Sequence, residues 1–125
     1  MSKLLLTLLL ATGTVHADEA TCLSKILYAE AESESIEGVI AVGEASIARS
    51  KKTHKSICKV KGVARKNPPK RLAHYWVTLA KSVLNDKQAP ITKGADSWER
   101  GKPSFKGEIT RKIGAHTFYV MAGKM

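Results

Sequence analysis

Thr21-Cys22-Leu23-Ser24-Lys25-Ile26-Leu27-Tyr28-Ala29-Glu30-Ala31 is the stretch on which the fold turns. Leu23, Ile26, Leu27 and Ala31 recur at three- and four-residue intervals, which is the spacing of one face of a helix. Thr21 or Asp18 is its cap. Glu30 stands seven residues after Leu23, so a carboxylate falls on the apolar stripe near the helix C-terminus. Ser33-Glu34-Ser35 then breaks the helix.

Ser35 caps a second helix, expected from Ile36 to about Arg49, with Ile36, Val39, Ile40, Gly43 and Ile47 as its stripe. Gly38 and Gly43 weaken it but allow close helix packing. Ser50 to Lys66 reads as basic and irregular. Asn67-Pro68-Pro69 opens a third helix whose buried face is Leu72, Trp76, Leu79, Ala80, Val83 and Leu84. Asn85 to Gly107 is loop-rich, and Ile109 to Met121 suits two short strands turning near Gly114-Ala115. The expected class is α+β, mostly helical, with a short C-terminal β-hairpin.

The chain has 125 residues, and that length favours a single domain. Its 43% hydrophobic and 26% charged content is that of a globular protein rather than a disordered tail or a fibre. Met1 to Ala17 reads as a secretory signal peptide: Lys3, the apolar run Leu4–Leu10, then Val15-His16-Ala17 as a small-residue cleavage site. A short core helix or a weak, releasable anchor is the other reading. Residues 18–125 are then the mature domain, secreted or periplasmic, with no stable membrane span.

In an oxidising compartment an even cysteine count favours a bridge, here Cys22–Cys58. In the chain-entropy account its loop contributes about 3.5–4 kcal/mol. Two buried thiols are the alternative. Two cysteines exclude a four-cysteine zinc site, and His54, His74 and His116 lack metal-ligand spacing, so no metal or cofactor is expected. No serine sits in a nucleophile elbow, and no glycine-rich loop resembles a phosphate cradle.

The formal net charge is +10, and it is unevenly spread. Seven acids and one base, Lys25, lie between Asp18 and Glu44; nineteen bases and only Asp86, Asp96, Glu99 and Glu108 follow. Such a surface attracts polyanions, among them nucleic acid, anionic lipid and the bacterial wall; export disfavours nucleic acid. A solvated surface that keeps the protein soluble accounts for the same composition.

Glu30 carries the sharpest chemical reading. Burial desolvates its carboxylate and the helix C-terminus adds partial negative charge, and both favour the protonated acid. A protonated carboxylic acid is the group that donates a proton to a glycosidic oxygen. A purely structural glutamate, satisfied by an amide or a base, fits the same spacing. Glu34 faces Glu30 only if the helix continues through Ser33. Glu32 and Glu37 read as solvent-facing, and Glu44, opposite the second stripe, as surface.

The run from Cys22 to Val42, containing Tyr28-Ala29-Glu30-Ala31-Glu32-Ser33-Glu34-Ser35, resembles the opening motif of the SleB-type cell wall hydrolases. The resemblance returns at Ser56-Ile57-Cys58-Lys59-Val60, at Thr92-Lys93-Gly94-Ala95-Asp96-Ser97-Trp98 and at Ile113-Gly114-Ala115-His116-Thr117-Phe118-Tyr119, in family order. It implies a lysozyme-like arrangement of helices with a small β element. It also implies an enzyme that cuts peptidoglycan between N-acetylmuramic acid and N-acetylglucosamine, as a lytic transglycosylase or muramidase and in some settings a phage lysis enzyme. Glu30 corresponds to the catalytic acid and Glu34 to the second motif glutamate, supporting the site. Trp98, His116 and Tyr119 fall on family positions expected to line the sugar groove, although core packing suits Trp98 and Tyr119 equally well. The partner so implied is a peptidoglycan glycan strand, met by a monomer.

Three departures stand out. Glu32-Ser33 replaces the family's Arg-Gly, the basic stretch Lys61–Arg71 replaces a polar loop containing aromatics, and Ala115 replaces an asparagine. Two other readings stay open: a cationic peptidoglycan-binding protein of the same fold that does not cut, and an exported cationic protein acting on nucleic acid or membrane. The last leaves the opening motif unexplained.

Overall fold

The computed structural model describes residues 18–86, 88–101 and 107–123. The expected signal segment, Met1–Ala17, lies outside them. Helix α1 covers residues 18–31, α2 Ile36–Thr53 and α3 Ala73–Asn85, the last entered through a 3-10 turn at Lys70–Leu72. Three strands follow: β1 Ser97–Arg100, β2 Gly107–Ile113 and β3 His116–Met121. They form one antiparallel sheet in the order β1-β3-β2. The molecule is a small α+β domain.

α1 follows its sequence pattern. Leu23, Ile26, Leu27 and Ala31 are all fully buried, and each large side chain among them contributes about 1.5–3 kcal/mol. The Cys22–Cys58 disulfide forms, tying α1 to the loop after α2. α2 starts where expected, with the Ser35 hydroxyl accepting the Gly38 N–H at 3.2 Å, but runs four residues further, to Thr53.

The face that α2 buries overlaps the expected one only in part. Val39 and Gly43 are buried as expected, but Ile36 is 52% exposed and Ile40 and Ile47 are only partly covered, whereas Val42, Ala45, Ser46 and Arg49 are buried. α2 packs against α3, β1 and β2 together. A helix embraced on several sides selects small residues for close approach rather than one wide aliphatic stripe. Gly43 shows this: a Cβ there would lie 2.9 Å from a Val83 methyl.

The hairpin turns at Gly114-Ala115 as the sequence indicates, with a register irregularity between Ile109 and Arg111. The segment read as loop-rich contains one further strand. β1 pairs with β3 through Ser97↔Tyr119 to Arg100↔His116. β3 is therefore the central strand, and His116, Thr117, Phe118 and Tyr119 are all buried. Among the described residues no helix is long and apolar enough to cross a membrane.

Candidate functional site

Glu30 occupies the last turn of α1 and is half-buried. Its Oε2 accepts the Ala64 backbone N–H at 3.2 Å, so the segment after the disulfide loop holds one carboxylate oxygen. Its charge reaches both His116 and Arg49.

The helix ends at residue 31, so Glu34 is not one turn above Glu30. It sits in the α1–α2 connection, where its N–H bonds the Ala31 carbonyl at 3.0 Å. The hairpin turn fixes its carboxylate: Oε1 accepts the Ala115 N–H at 3.1 Å and lies 3.4 Å from His116 Nδ1. Two glycines clear the space. A Cβ at Gly114 would come within 2.7 Å of Glu34 Oε1, and one at Gly38 within 2.9 Å of Glu34 Cβ. Gly114 also has φ of 58°, a conformation that side chains with Cβ resist.

His116 is 2% exposed, edge-on to Phe118, and its Nδ1 has no hydrogen-bond partner despite the nearby carboxylate. Burial pushes its pKa down and the Arg100 charge adds to this, while Glu34 and Glu30 oppose it. The imidazole is therefore neutral at pH 7.

Behind these groups lies a network that sequence reasoning missed. Arg49 is buried, with Nε donating to the Asp96 carbonyl at 3.0 Å and Nη2 to the Ser97 hydroxyl at 3.1 Å. Nη1 donates to the carbonyls of Lys61 at 3.0 Å and Gly62 at 3.1 Å. The guanidinium also lies 5.5 Å from the Trp98 ring centroid. Asp96 accepts from Lys52 Nζ at 2.8 Å, the Ser97 hydroxyl at 2.8 Å and the Met121 N–H at 3.0 Å. Burial alone would push the Asp96 carboxyl up; these donors and the Lys52 charge outweigh it and hold it below the usual range. The available signal was the helical spacing Val42, Ser46, Arg49, which places the arginine on the buried face.

Trp98 and Tyr119, expected to line a sugar groove, are 9% and 1% exposed. Neither offers a ring face to a ligand: Trp98 packs under Arg49, and the Tyr119 hydroxyl points to Glu99 at 3.4 Å. Burial, then the Glu99 charge, raises the Tyr119 phenol. His116 likewise backs the site rather than opening onto it. Glu44, read as surface, is half-buried and anchors the loop before β1, accepting the N–H groups of Ile91 and Thr92, each at 3.1 Å.

What the fold brings together is thus Glu34 and His116, from the α1–α2 connection and β3, with Glu30 of α1 near enough for its charge to act on His116. Among the described residues no three His, Cys, Asp or Glu side chains are grouped to hold a metal ion. A cleft of about 320 Å³ lined by Arg49, Thr53, Lys55, Lys61, Gly62 and Met121 borders the network, sharing Arg49, Lys61, Gly62 and Met121 with it, but includes neither glutamate. No family model, curated protein or solved structure matches the chain.

Proposed function

We propose that this protein is an exported glycosidase that cuts peptidoglycan between N-acetylmuramic acid and N-acetylglucosamine, with Glu30 as its acid and base. The observation that carries this reading is the setting of Glu30. One oxygen is held by a backbone N–H, the side chain is half-open, and no other protein partner of the carboxylate is found among the described residues. A carboxylic acid so placed can meet an external oxygen, and it coincides with the first glutamate of the motif resembling the SleB-type hydrolases.

In this mechanism Glu30 gives its proton to the glycosidic oxygen as the bond to the muramic acid C1 breaks. The carboxylate then takes a proton from the attacking hydroxyl. When the attacker is the 6-hydroxyl of the same sugar the product is a 1,6-anhydro end; when it is water, a reducing end. The first route needs no second carboxylate nucleophile, and Glu34, committed to Ala115 and facing His116, is unsuited to be one. Its role is to seat the α1–α2 connection against the hairpin. The cationic surface draws the enzyme to an anionic wall. The disulfide suits an extracellular or periplasmic setting.

Mass spectrometry of muropeptides released from purified sacculi tests the reading. Release of disaccharide fragments with anhydro or reducing muramic acid ends supports it. Sacculi that are bound but release nothing overturn catalysis in favour of a binding protein of the same fold.

A further inference from the structure

Tyr75 is 49% exposed and is the one aromatic among the exposed large hydrophobic side chains of the described residues. It stands in the first turn of α3, edge-to-face with Trp76 at 5.7 Å. Trp76 is buried and meets Tyr28 of α1 in the same manner at 5.4 Å. Three rings thus run in a row, anchored in the core at the middle and reaching the surface at Tyr75.

The row adjoins the proposed acid. Tyr28 and Glu30, two apart on α1, point to different sides of the helix, and it is the segment Ala64–Lys66 that touches both. The Ala64 N–H holds Glu30, and Lys66 Nζ lies 5.7 Å from the Tyr28 ring centroid. The Lys66 N–H bonds the Lys25 carbonyl at 3.1 Å, which pins this strap along α1. Arg71, in the 3-10 turn, is exposed and its charge is felt at the Tyr28 phenol. One acid is also present: Glu32 accepts the phenol's hydrogen bond, and this contact, then burial, raises the Tyr28 pKa. Neither Lys66 nor Arg71 has a carboxylate within ion-pair distance among the described residues.

Rigid aromatic faces beside cations without carboxylate partners are the chemistry that recognises an acidic sugar. The rings cover the apolar C–H face of a pyranose, and the cations meet a carboxylate on its substituent. We propose that Tyr28 and Tyr75, flanked by Lys66 and Arg71, form a saccharide subsite continuous with Glu30 that selects carboxylate-bearing glycan over neutral glycan. In a wall strand the carboxylates are those of the peptide carried by the muramic acid. The assignment rests on the glycosidase reading and supplies the aromatic surface that buried Trp98 and Tyr119 do not.

Isothermal titration of Glu30→Gln protein, which reads binding without turnover, tests it. The probes are a peptide-bearing glycan tetrasaccharide prepared from sacculi and the neutral tetramer of N-acetylglucosamine. The acidic probe should bind about tenfold more tightly, the scale of one well-placed ion pair. Tyr75→Ala should weaken both probes by about tenfold, with Tyr75→Gln as a second variant at this exposed position. Lys66→Gln with Arg71→Gln should erase the preference, weakening the acidic probe more than the neutral one. Equal affinity for the two probes, unchanged binding in a folded Tyr75 variant, or no binding of either probe overturns the subsite. Muropeptide release by the parent protein separates the two ideas. Release with Tyr75-independent binding sinks the subsite alone, whereas Tyr75-dependent binding without release keeps the subsite and sinks catalysis.

Discussion

Glu34 Oε1 and His116 Nδ1 lie 3.4 Å apart, both side chains almost wholly withdrawn from water, with no hydrogen bond joining them. A carboxylate and a neutral imidazole held this way form a seat that one proton can convert into a charge-assisted bond. The pair links the start of the domain to its last strand, and its protonation state follows from burial.

Acidification should therefore destabilise the fold through His116. Its native pKa is depressed below the usual 6.5, so below that value the unfolded chain binds a proton that the folded chain refuses. This contribution to stability is complete above about pH 6.5 and falls as the pH drops toward the depressed native value. One group adds at most about 1.4 kcal/mol per pH unit. Urea unfolding between pH 5 and 8 should show this slope in the parent and a flatter one in His116→Asn; identical slopes disprove the assignment. Asp96, depressed in the native state, acts in the same direction but at lower pH, below the usual carboxylate range.

Glu30→Gln should cut release of muropeptides by about 10²–10⁴-fold, the usual scale for a general acid. The fold should survive, because a neutral amide can still accept the Ala64 N–H. Glu108→Gln, exposed on β2, is the matched control and should keep parental activity. Full activity in a folded Glu30→Gln protein removes Glu30 from the mechanism.

Gly114→Ala should be costly for two reasons at one atom. The backbone φ of 58° is unfavourable for alanine, and the new methyl lands on Glu34 Oε1. A loss of about 1–3 kcal/mol is expected, seen as a lowered urea midpoint. Displacement of Glu34 should also show in the His116 ring resonances. A neutral outcome in both measurements contradicts the packing described.

Arg49→Lys keeps the charge and loses the geometry. An ammonium cannot serve the carbonyls of Lys61, Gly62 and Asp96 together with the Ser97 hydroxyl. Leaving buried acceptors unmet should cost about 3 kcal/mol or more. Thermal unfolding checks this, at about 4–8 °C per kcal/mol for a domain of this size.

Reduction of Cys22–Cys58 should lower stability by about 2–5 kcal/mol. Denaturant titration with and without reductant measures it. Unchanged midpoints mean that the hydrogen bonds of Arg49, Arg65, Lys66 and Glu30 hold the segment after α2 without the bridge.

The helices and the hairpin were legible because their signals are local. Leu23, Ile26 and Leu27 announce α1, Ser35 caps α2, and Gly114 marks the turn. β1 was not legible, because four residues after a loop acquire strand character only by pairing with β3, whose partner on the other side is β2. The buried face of α2 was misread because Ala41, Ala45 and Ser46 carry little hydropathy, while Ile36 stays in water. Arg49 was not singled out and Glu44 was read as surface for a related reason: charged residues are buried only when distant groups satisfy them, and those partners come from other segments. Trp98 and Tyr119 went to the core through the same non-local packing. Of the site, Glu30 was visible from helical spacing, whereas the clasp of Glu34 by Ala115 depends on a contact that no local pattern records.

That contact spans 81 residues of sequence, and it sets an order of assembly. α1 and α2 lie early in the chain and form from near neighbours, but Glu34 has no seat until Gly114, Ala115 and His116 arrive. A chain growing from its N-terminus therefore holds its proposed acid from the start, yet cannot close the surrounding structure until the hairpin has been made. Emergence of the Gly114–His116 hairpin is the event that finishes the site.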